Sequence, residues 1–308
     1  MKCKRCKEKA IVQLRSHNAA FCKPCFTFFF QRTVERAIDR EHMFAKDERV
    51  LVAVSGGKDS LALWDVLVDL GYQTEGLYLG LGIGTYSKAS EQKTRAFAEK
   101  RGLTLRVVAL DETEDNLAIP EVAATTRRPA CSACGTFKRH HFDRAALDGG
   151  FPVLATGHNL DDEAARLLGN VLHWQLSYLA KQQPVLQPTH PRFVRKVRPL
   201  FRTSELESAT YAFLRGIDYV VDECPNSHGA TQLVYKDILN RLEHTMPGSK
   251  LAFLTDFLNR GQPLFAAGPD GQLGECERCG MPAAGELCGY CRLVAEVGRR
   301  RAQAVAHS

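Results

Sequence analysis

The sequence predicts an α/β protein: a parallel-sheet domain flanked by a cysteine-rich metal module at each end. Three observations carry this. An apolar, β-branched run at residues 50–54 feeds into Ser55-Gly56-Gly57-Lys58-Asp59-Ser60. Strand-like and helix-like stretches then alternate through residue 173, as βαβ units do. Eight of the eleven cysteines fall in C-x2-C pairs near the two ends.

In chain order, Cys3, Cys6, Cys22 and Cys25 come first, two C-x2-C pairs across a fifteen-residue spacer. Four thiolates on two knuckles satisfy tetrahedral zinc and leave no open position, so the site reads as structural. His17, in the spacer, reads as a surface histidine. Residues 32–44 read as a helix leading into the core. Strands are expected at 50–54, 75–79, 105–109 and 153–155, and helices at 60–70, 88–101, 133–147 and 161–173. Ligands of such sheets bind beyond the carboxyl ends of the strands. The Ser55 loop, residues 80–84 and Gly157-His158 are therefore expected to converge. Residues 203–215 and 231–260 read as mostly helical, and 217–220 as a short strand delivering Cys224. Residues 261–274, rich in glycine and proline, read as a linker. Cys276, Cys279, Cys288 and Cys291 then repeat the zinc pattern with an eight-residue spacer and knuckle glycines at 280 and 289. The expected division is an N-terminal zinc finger (1–30), a catalytic domain (31–262), and a C-terminal zinc finger with a basic tail (263–308).

Bulk composition fits a soluble globular protein: of 308 residues, 44% are hydrophobic and 25% charged. No apolar run approaches the ~20 residues of a membrane span. The basic start, Met1-Lys2-Cys3-Lys4-Arg5-Cys6, lacks the core of a signal peptide. A cytoplasmic location is expected. There, eleven cysteines point to metal rather than disulfides. The net charge of +6 favours a polyanionic partner. Basic residues cluster at 2–9, at Arg192, Arg195, Lys196, Arg198 and Arg202, and at Arg299–Arg301.

The Ser55 loop is a phosphate cradle. Two glycines let the backbone turn its N–H groups toward an anion, and the next helix points its positive end at the same place. The loop is not a Walker A motif, because the four-residue spacer between the glycines is missing. In Gly157-His158-Asn159-Leu160-Asp161-Asp162-Glu163, Gly157 permits close approach to a base or phosphate. The carboxylates either cap a helix or hold Mg2+. Lys138 faces phosphate, steadies charge on a reacting base, or is a surface lysine. Cys131, Cys134 and Cys224 remain outside the quartets. Spacing leaves two readings: an iron–sulfur cluster with one open iron, or a redox-active cysteine pair.

Taken together, the N-terminal quartet, Ser55–Ser60, Cys131-Ser132-Ala133-Cys134-Gly135, Gly157–Glu163, Glu223-Cys224-Pro225-Asn226 and the C-terminal quartet resemble the TtuA/Ncs6 family of tRNA 2-thiouridine synthetases, members of the PP-loop ATP pyrophosphatases. The resemblance spans nearly the whole chain and is nearest to the bacterial branch. It implies 2-thiolation of tRNA, at 5-methyluridine 54 of the T-loop, with the wobble uridine 34 as the alternative target. A ligase using a cysteine persulfide pair without a cluster is a further alternative, and a non-catalytic tRNA-binding zinc protein another. It implies a [4Fe–4S] cluster on Cys131, Cys134 and Cys224, two Zn2+, and ATP with Mg2+ held by Ala53, Ser55, Gly56, Gly57, Lys58, Asp59, Ser60, Leu79, Gly157 and Asp162. Asp59, Lys138 and Asp162 would act with the three cysteines in catalysis, Asp161 being the rival to Asp162. The partners implied are tRNA and a ubiquitin-like sulfur carrier ending in a thiocarboxylate; a homodimer is expected. Some relatives have histidine at the position of Cys25, a change zinc accepts.

Overall fold

The computed structural model describes residues 1–227, 229–265 and 273–306. A hairpin of β1 (Val12–Leu14) and β2 (Ala19–Phe21) leads into helix α1 (Lys23–Arg40). Then follow β3 (Arg49–Val54), α2 (Lys58–Asp69), β4 (Gln73–Gly80), α3 (Gly84–Arg101), β5 (Leu105–Ala109), α4 (Ile119–Thr126), α5 (Ala130–Asp148), β6 (Val153–Thr156), α6 (Leu160–Leu172) and α7 (Leu176–Ala180). The rest comprises β7 (Val185–Leu186), β8 (Arg195–Val197), α8 (Glu205–Arg215), α9 (Thr231–Thr245), α10 (Ser249–Asp256), a second hairpin of β9 (Gly274–Glu275) and β10 (Pro282–Ala283), and α11 (Gly289–Ala306).

The central sheet has six strands in the order β5-β4-β3-β6-β8-β7. All pairs are parallel except β7 with β8. The four expected strands lie side by side from the β5 edge inward. The edge pair β7 and β8 went unseen because both are too short to show a period. Strand β3 displays why the sheet is buried on both faces. Val50, Val52 and Val54 join a core with Phe30, Trp64 and Tyr211, while Leu51 and Ala53 join another with Ala146, Phe151 and Leu154. Strand order reverses between β3 and β6, so the loops after these two strands diverge around one crevice.

Several boundaries differ from expectation. Helix α1 starts at Lys23, inside the first metal module, and stops at Arg40 rather than continuing to 44. Phe26, Phe30, Val34, Ala37 and Ile38 bury one face of it, and Phe30 stacks on Tyr211 of α8 at 4.3 Å between ring centroids. His17 is not a free surface histidine: its Nε2 lies 2.8 Å from the buried Glu207 carboxylate, and its ring meets Phe29 edge-on. Residues 217–220 form no strand. The segment is held instead by a bond from the Val220 N–H to the Gly56 carbonyl and by an ion pair of Asp218 with Lys93. Of the expected linker, residues 266–272 lie outside the described residues, and 261–264 are helical turns.

Four of the five basic residues of the middle cluster are spent internally. Arg195 pairs with Glu48, Lys196 with Asp143, Arg198 with Glu163 and Arg192 with Glu275. In the second metal module, α11 packs on α4 and α5 through Ile119, Val122, Phe137, Leu293 and Val297. No described helix is long and apolar enough to cross a membrane.

Candidate functional site

The loop between β3 and α2 is closed by its own serines. The Ser60 hydroxyl donates to the Gly57 carbonyl at 3.0 Å and accepts from the Ser55 N–H at 3.1 Å. Ser60 is buried and Ser55 exposed, so the Ser60 hydroxyl braces the loop from within. Gly56 has φ 75°, and a Cβ there would sit 2.4 Å from the Ser90 carbonyl oxygen on α3. Gly157, after β6, packs directly against this loop. A Cβ on it would meet the Ser60 backbone nitrogen at 2.8 Å, so its smallness lets β6 seat the loop. Ala53 and Leu79, near the ends of β3 and β4, are buried in the sheet beneath.

Three helix N-termini, of α2, α6 and α8, meet at this loop, and their side chains form a closed ring. Lys58 contacts Asp59 at 3.1 Å and Glu205 at 2.7 Å. Glu205 also contacts Lys236 of α9 at 3.1 Å, and Lys236 reaches Asp162 at 2.6 Å. Asp162 and Asn159 exchange bonds in a capping box, and the Asn159 amide donates to Asp59 at 3.0 Å, which closes the circle. Burial disfavours charge on Lys58, Lys236, Glu205 and Asp59. On Lys58 and Lys236 the facing carboxylates outweigh it and hold both pKa values above the ordinary lysine value. On Glu205 the two lysines outweigh it and hold the carboxyl below its usual value. On Asp59 burial prevails over Lys58 and Asn159, and the pKa rises.

Asp161 and Asp162 part company here. Asp161 is buried, paired with Lys250 and bonded to the Glu205 N–H, so it joins α6 to α8 and α10. Asp162 faces the ring.

Cys131 and Cys134 lie in the first turns of α5, and Cys224 opens a turn in which Ser227 bonds back to its carbonyl. The Cys131 thiol points at the Asn226 carbonyl, 3.3 Å away. Burial raises the Cys134 pKa; nearby Lys138 opposes this, while Cys224 and Cys131 add to it. The three thiols therefore share one locality, with Lys138 one turn beyond Cys134. Lys138 stands beside that thiol rather than in the Lys58 ring. Helix α3 joins the two places: Ser90 packs on Gly56, while Tyr86 titrates high, from burial and then from the charge of Cys224, Asp222 and Cys134.

Both quartets gather. Each brings its four sulfurs within 4.8 Å of one another, as one tetrahedral ion requires. Cys3 and Cys276 are each brought down to about 6: burial opposes this, but three main-chain N–H groups converge on each sulfur. Among the described residues no other set of His, Cys, Asp or Glu ligands is so tight. The Cys131, Cys134 and Cys224 trio is thus more open than a single-ion site, a donor set suited to a multi-iron cluster. Between α5 and α11 lies a concavity of about 460 Å³ lined by Arg128, Thr136, Gly289, Arg292 and Arg299.

Sequence reasoning missed Asn159, Glu205, Lys236 and Tyr86. Asn159-x-x-Asp162 and Ser204-x-x-Glu207 are readable capping boxes, so two of the converging N-termini were there to be found. Nothing local marks Lys236 or Tyr86.

A doubly wound sheet with a Ser-Gly-Gly-Lys-Asp-Ser loop at its switch point defines a PP-loop nucleotide-binding protein, and residues 29–231 match the PP-loop domain. Residues 2–27 match the N-terminal LIM domain of the 2-thiouridine synthetase TtuA. The tRNA-5-methyluridine(54) 2-sulfurtransferase of Thermus thermophilus is 51% identical over 97% of this chain and 93% of its own. That of Pyrococcus horikoshii is 42% identical over 95% and 93%. Among solved structures, the U34-tRNA thiolase NcsA of Methanococcus maripaludis with its [4Fe-4S] cluster superposes with a TM-score of 0.80, at 27% identity over 95% of each chain. The chain belongs to the TtuA family of tRNA 2-thiouridine synthetases.

Proposed function

We propose that this protein replaces O2 of 5-methyluridine 54 in the tRNA T-loop with sulfur, using ATP. The observation that carries this is the pairing of the phosphate loop with a separate three-thiol site across α3, in a chain half identical to a 5-methyluridine(54) 2-sulfurtransferase. Uracil O2 is a poor leaving group. It attacks the α-phosphorus of ATP, pyrophosphate leaves, and O2 is carried as an adenylate. Sulfide then adds at C2 and AMP departs with the former O2, with no change of oxidation state. Ser55, Gly56, Gly57 and Lys58 hold phosphates, with Ala53, Ser60, Leu79 and Gly157 shaping the loop and the adenosine site beneath it. Asp59 and Asp162 face Mg2+ and nucleotide, and Lys138 steadies charge on the base beside the thiols.

The three thiolates of Cys131, Cys134 and Cys224 would hold a [4Fe–4S] cluster, which supplies an iron lacking a protein ligand, available to sulfide. Cys3, Cys6, Cys22 and Cys25, and Cys276, Cys279, Cys288 and Cys291, would each hold a structural zinc. Sulfur would arrive from a ubiquitin-like carrier with a C-terminal thiocarboxylate. The protein would work in the cytoplasm as a homodimer of three-part chains, divided at 1–30, 31–262 and 263–308.

Anaerobic turnover with ATP, sulfide and sulfur-free tRNA, followed by nucleoside mass spectrometry, tests the reading. A 2-thiolated 5-methyluridine is expected. A thiolated wobble uridine would move the target to that of the NcsA thiolase. No thiolated nucleoside from cluster-loaded protein would overturn the reading.

A further inference from the structure

The ring around the phosphate loop holds more charge than helix capping needs. Glu205 is shared: Lys58 lies 2.7 Å from its Oε1 and Lys236 3.1 Å from its Oε2. Both lysines are about four-fifths buried, whereas Glu205 is 38% exposed at its side chain and so sits on the open side of the ring. Lys58 belongs to the loop that cradles phosphate and comes from the N-terminus of α2; Lys236 comes from the middle of α9. A triphosphate reaching the loop needs Lys58, and Lys58 is already engaged by a carboxylate. A carboxylate left alone in a half-buried site would cost stability. Lys236 removes that cost, because Glu205 keeps one partner after Lys58 turns away.

We propose that Glu205 is a built-in competitor for the phosphates of ATP, and that Lys236 is the positioning residue that retains Glu205 and fixes Asp162 while Lys58 changes partner. Glu205 occupies Lys58 in the nucleotide-free enzyme. The arriving phosphates displace it, and Lys236 then carries both Glu205 and Asp162. The loop is held in its binding shape while empty, and its lysine is not free to recruit other anions. This rests on the reading of the Ser55 loop as an ATP site.

The two residues predict opposite signs. Glu205→Gln keeps the shape of the side chain and removes the competitor, so the Kd for MgATP falls, by about 2- to 5-fold. Lys236→Met leaves Asp162 and Glu205 facing the incoming phosphates without compensation, so the Kd rises about ten-fold. Lys236→Arg restores most of the affinity. Titration calorimetry of MgATP into the metal-loaded full chain reads both, and thermal melting of each variant confirms folding. In single-turnover pyrophosphate release at saturating ATP, Lys236→Met is slowed because Asp162 is no longer fixed, and Lys236→Arg restores most of the rate. A purely structural ring would weaken binding in every variant; ATP affinity unchanged or weakened in folded Glu205→Gln overturns the proposal. Failure of the wild-type protein to bind MgATP would instead overturn the reading of the loop, and absence of thiolated tRNA with ATP binding intact would overturn only the assigned reaction.

Discussion

Gly56 shows how little freedom the nucleotide loop allows a single residue. Its φ of 75° and the Ser90 carbonyl 2.4 Å from where a Cβ would stand make alanine costly on two counts. Gly56→Ala is expected to destabilise the fold by about 2 kcal/mol or more, lowering the melting temperature by about 5 °C, and to abolish pyrophosphate release. Cys224 invites the complementary test. Cys224→Ala should lose thiolation and cluster iron while two equivalents of zinc remain; full activity in that variant would remove the cluster assignment. At this scale the sequence was legible wherever chemistry follows from residue type, as in the quartets and the Ser55 loop. It was silent where partners lie far apart in the chain. Lys236 is 178 positions from Lys58, and no local pattern announces that both touch Glu205. The sequence favoured Asp162 with Asp161 as its rival, and the structure gives them different places, Asp161 as a buried anchor and Asp162 on the ring.

At the scale of elements, the strands buried on both faces were legible because continuous apolar runs have no other home in such a sheet. The edge pair β7 and β8 was not, since three residues show no periodicity. The joint between α5 and α11 makes a pH prediction. Tyr290 of α11 stacks on His140 of α5, centroids 4.0 Å apart, and meets His141 edge-on. Burial lowers both histidines to about 4, with mutual repulsion adding to it for His140, and His141 Nε2 is buried without a hydrogen-bond partner. Between pH 6.5 and about 4 the unfolded chain binds the protons these imidazoles refuse in the folded state. Stability from this joint is therefore present above pH 6.5 and lost as pH falls toward 4. Melting curves across that range should show the loss, and His140→Phe should flatten part of the slope.

On the scale of the whole molecule, charge is distributed unevenly in its use. Four of the five basic residues of the middle cluster are engaged in internal pairs, whereas Arg292 and Arg299 stand exposed around a concavity between α5 and α11. The joint Arg292→Glu, Arg299→Glu variant should bind tRNA more weakly, with the salt slope of its affinity reduced by about 2, while MgATP affinity is unchanged. An unaltered slope would place the tRNA backbone elsewhere. Helix α1 has a different consequence at this scale. One uninterrupted helix carries Cys25 of the first quartet at its start and Phe26, Phe30, Val34 and Ile38 in the main core further along. Withdrawal of a metal held by the quartet would therefore loosen the first turn of a helix that continues into the main core. With zinc there, as proposed, its supply would govern how much enzyme persists: starved cells would discard the protein as misfolded chain rather than keep it as an idle apoenzyme.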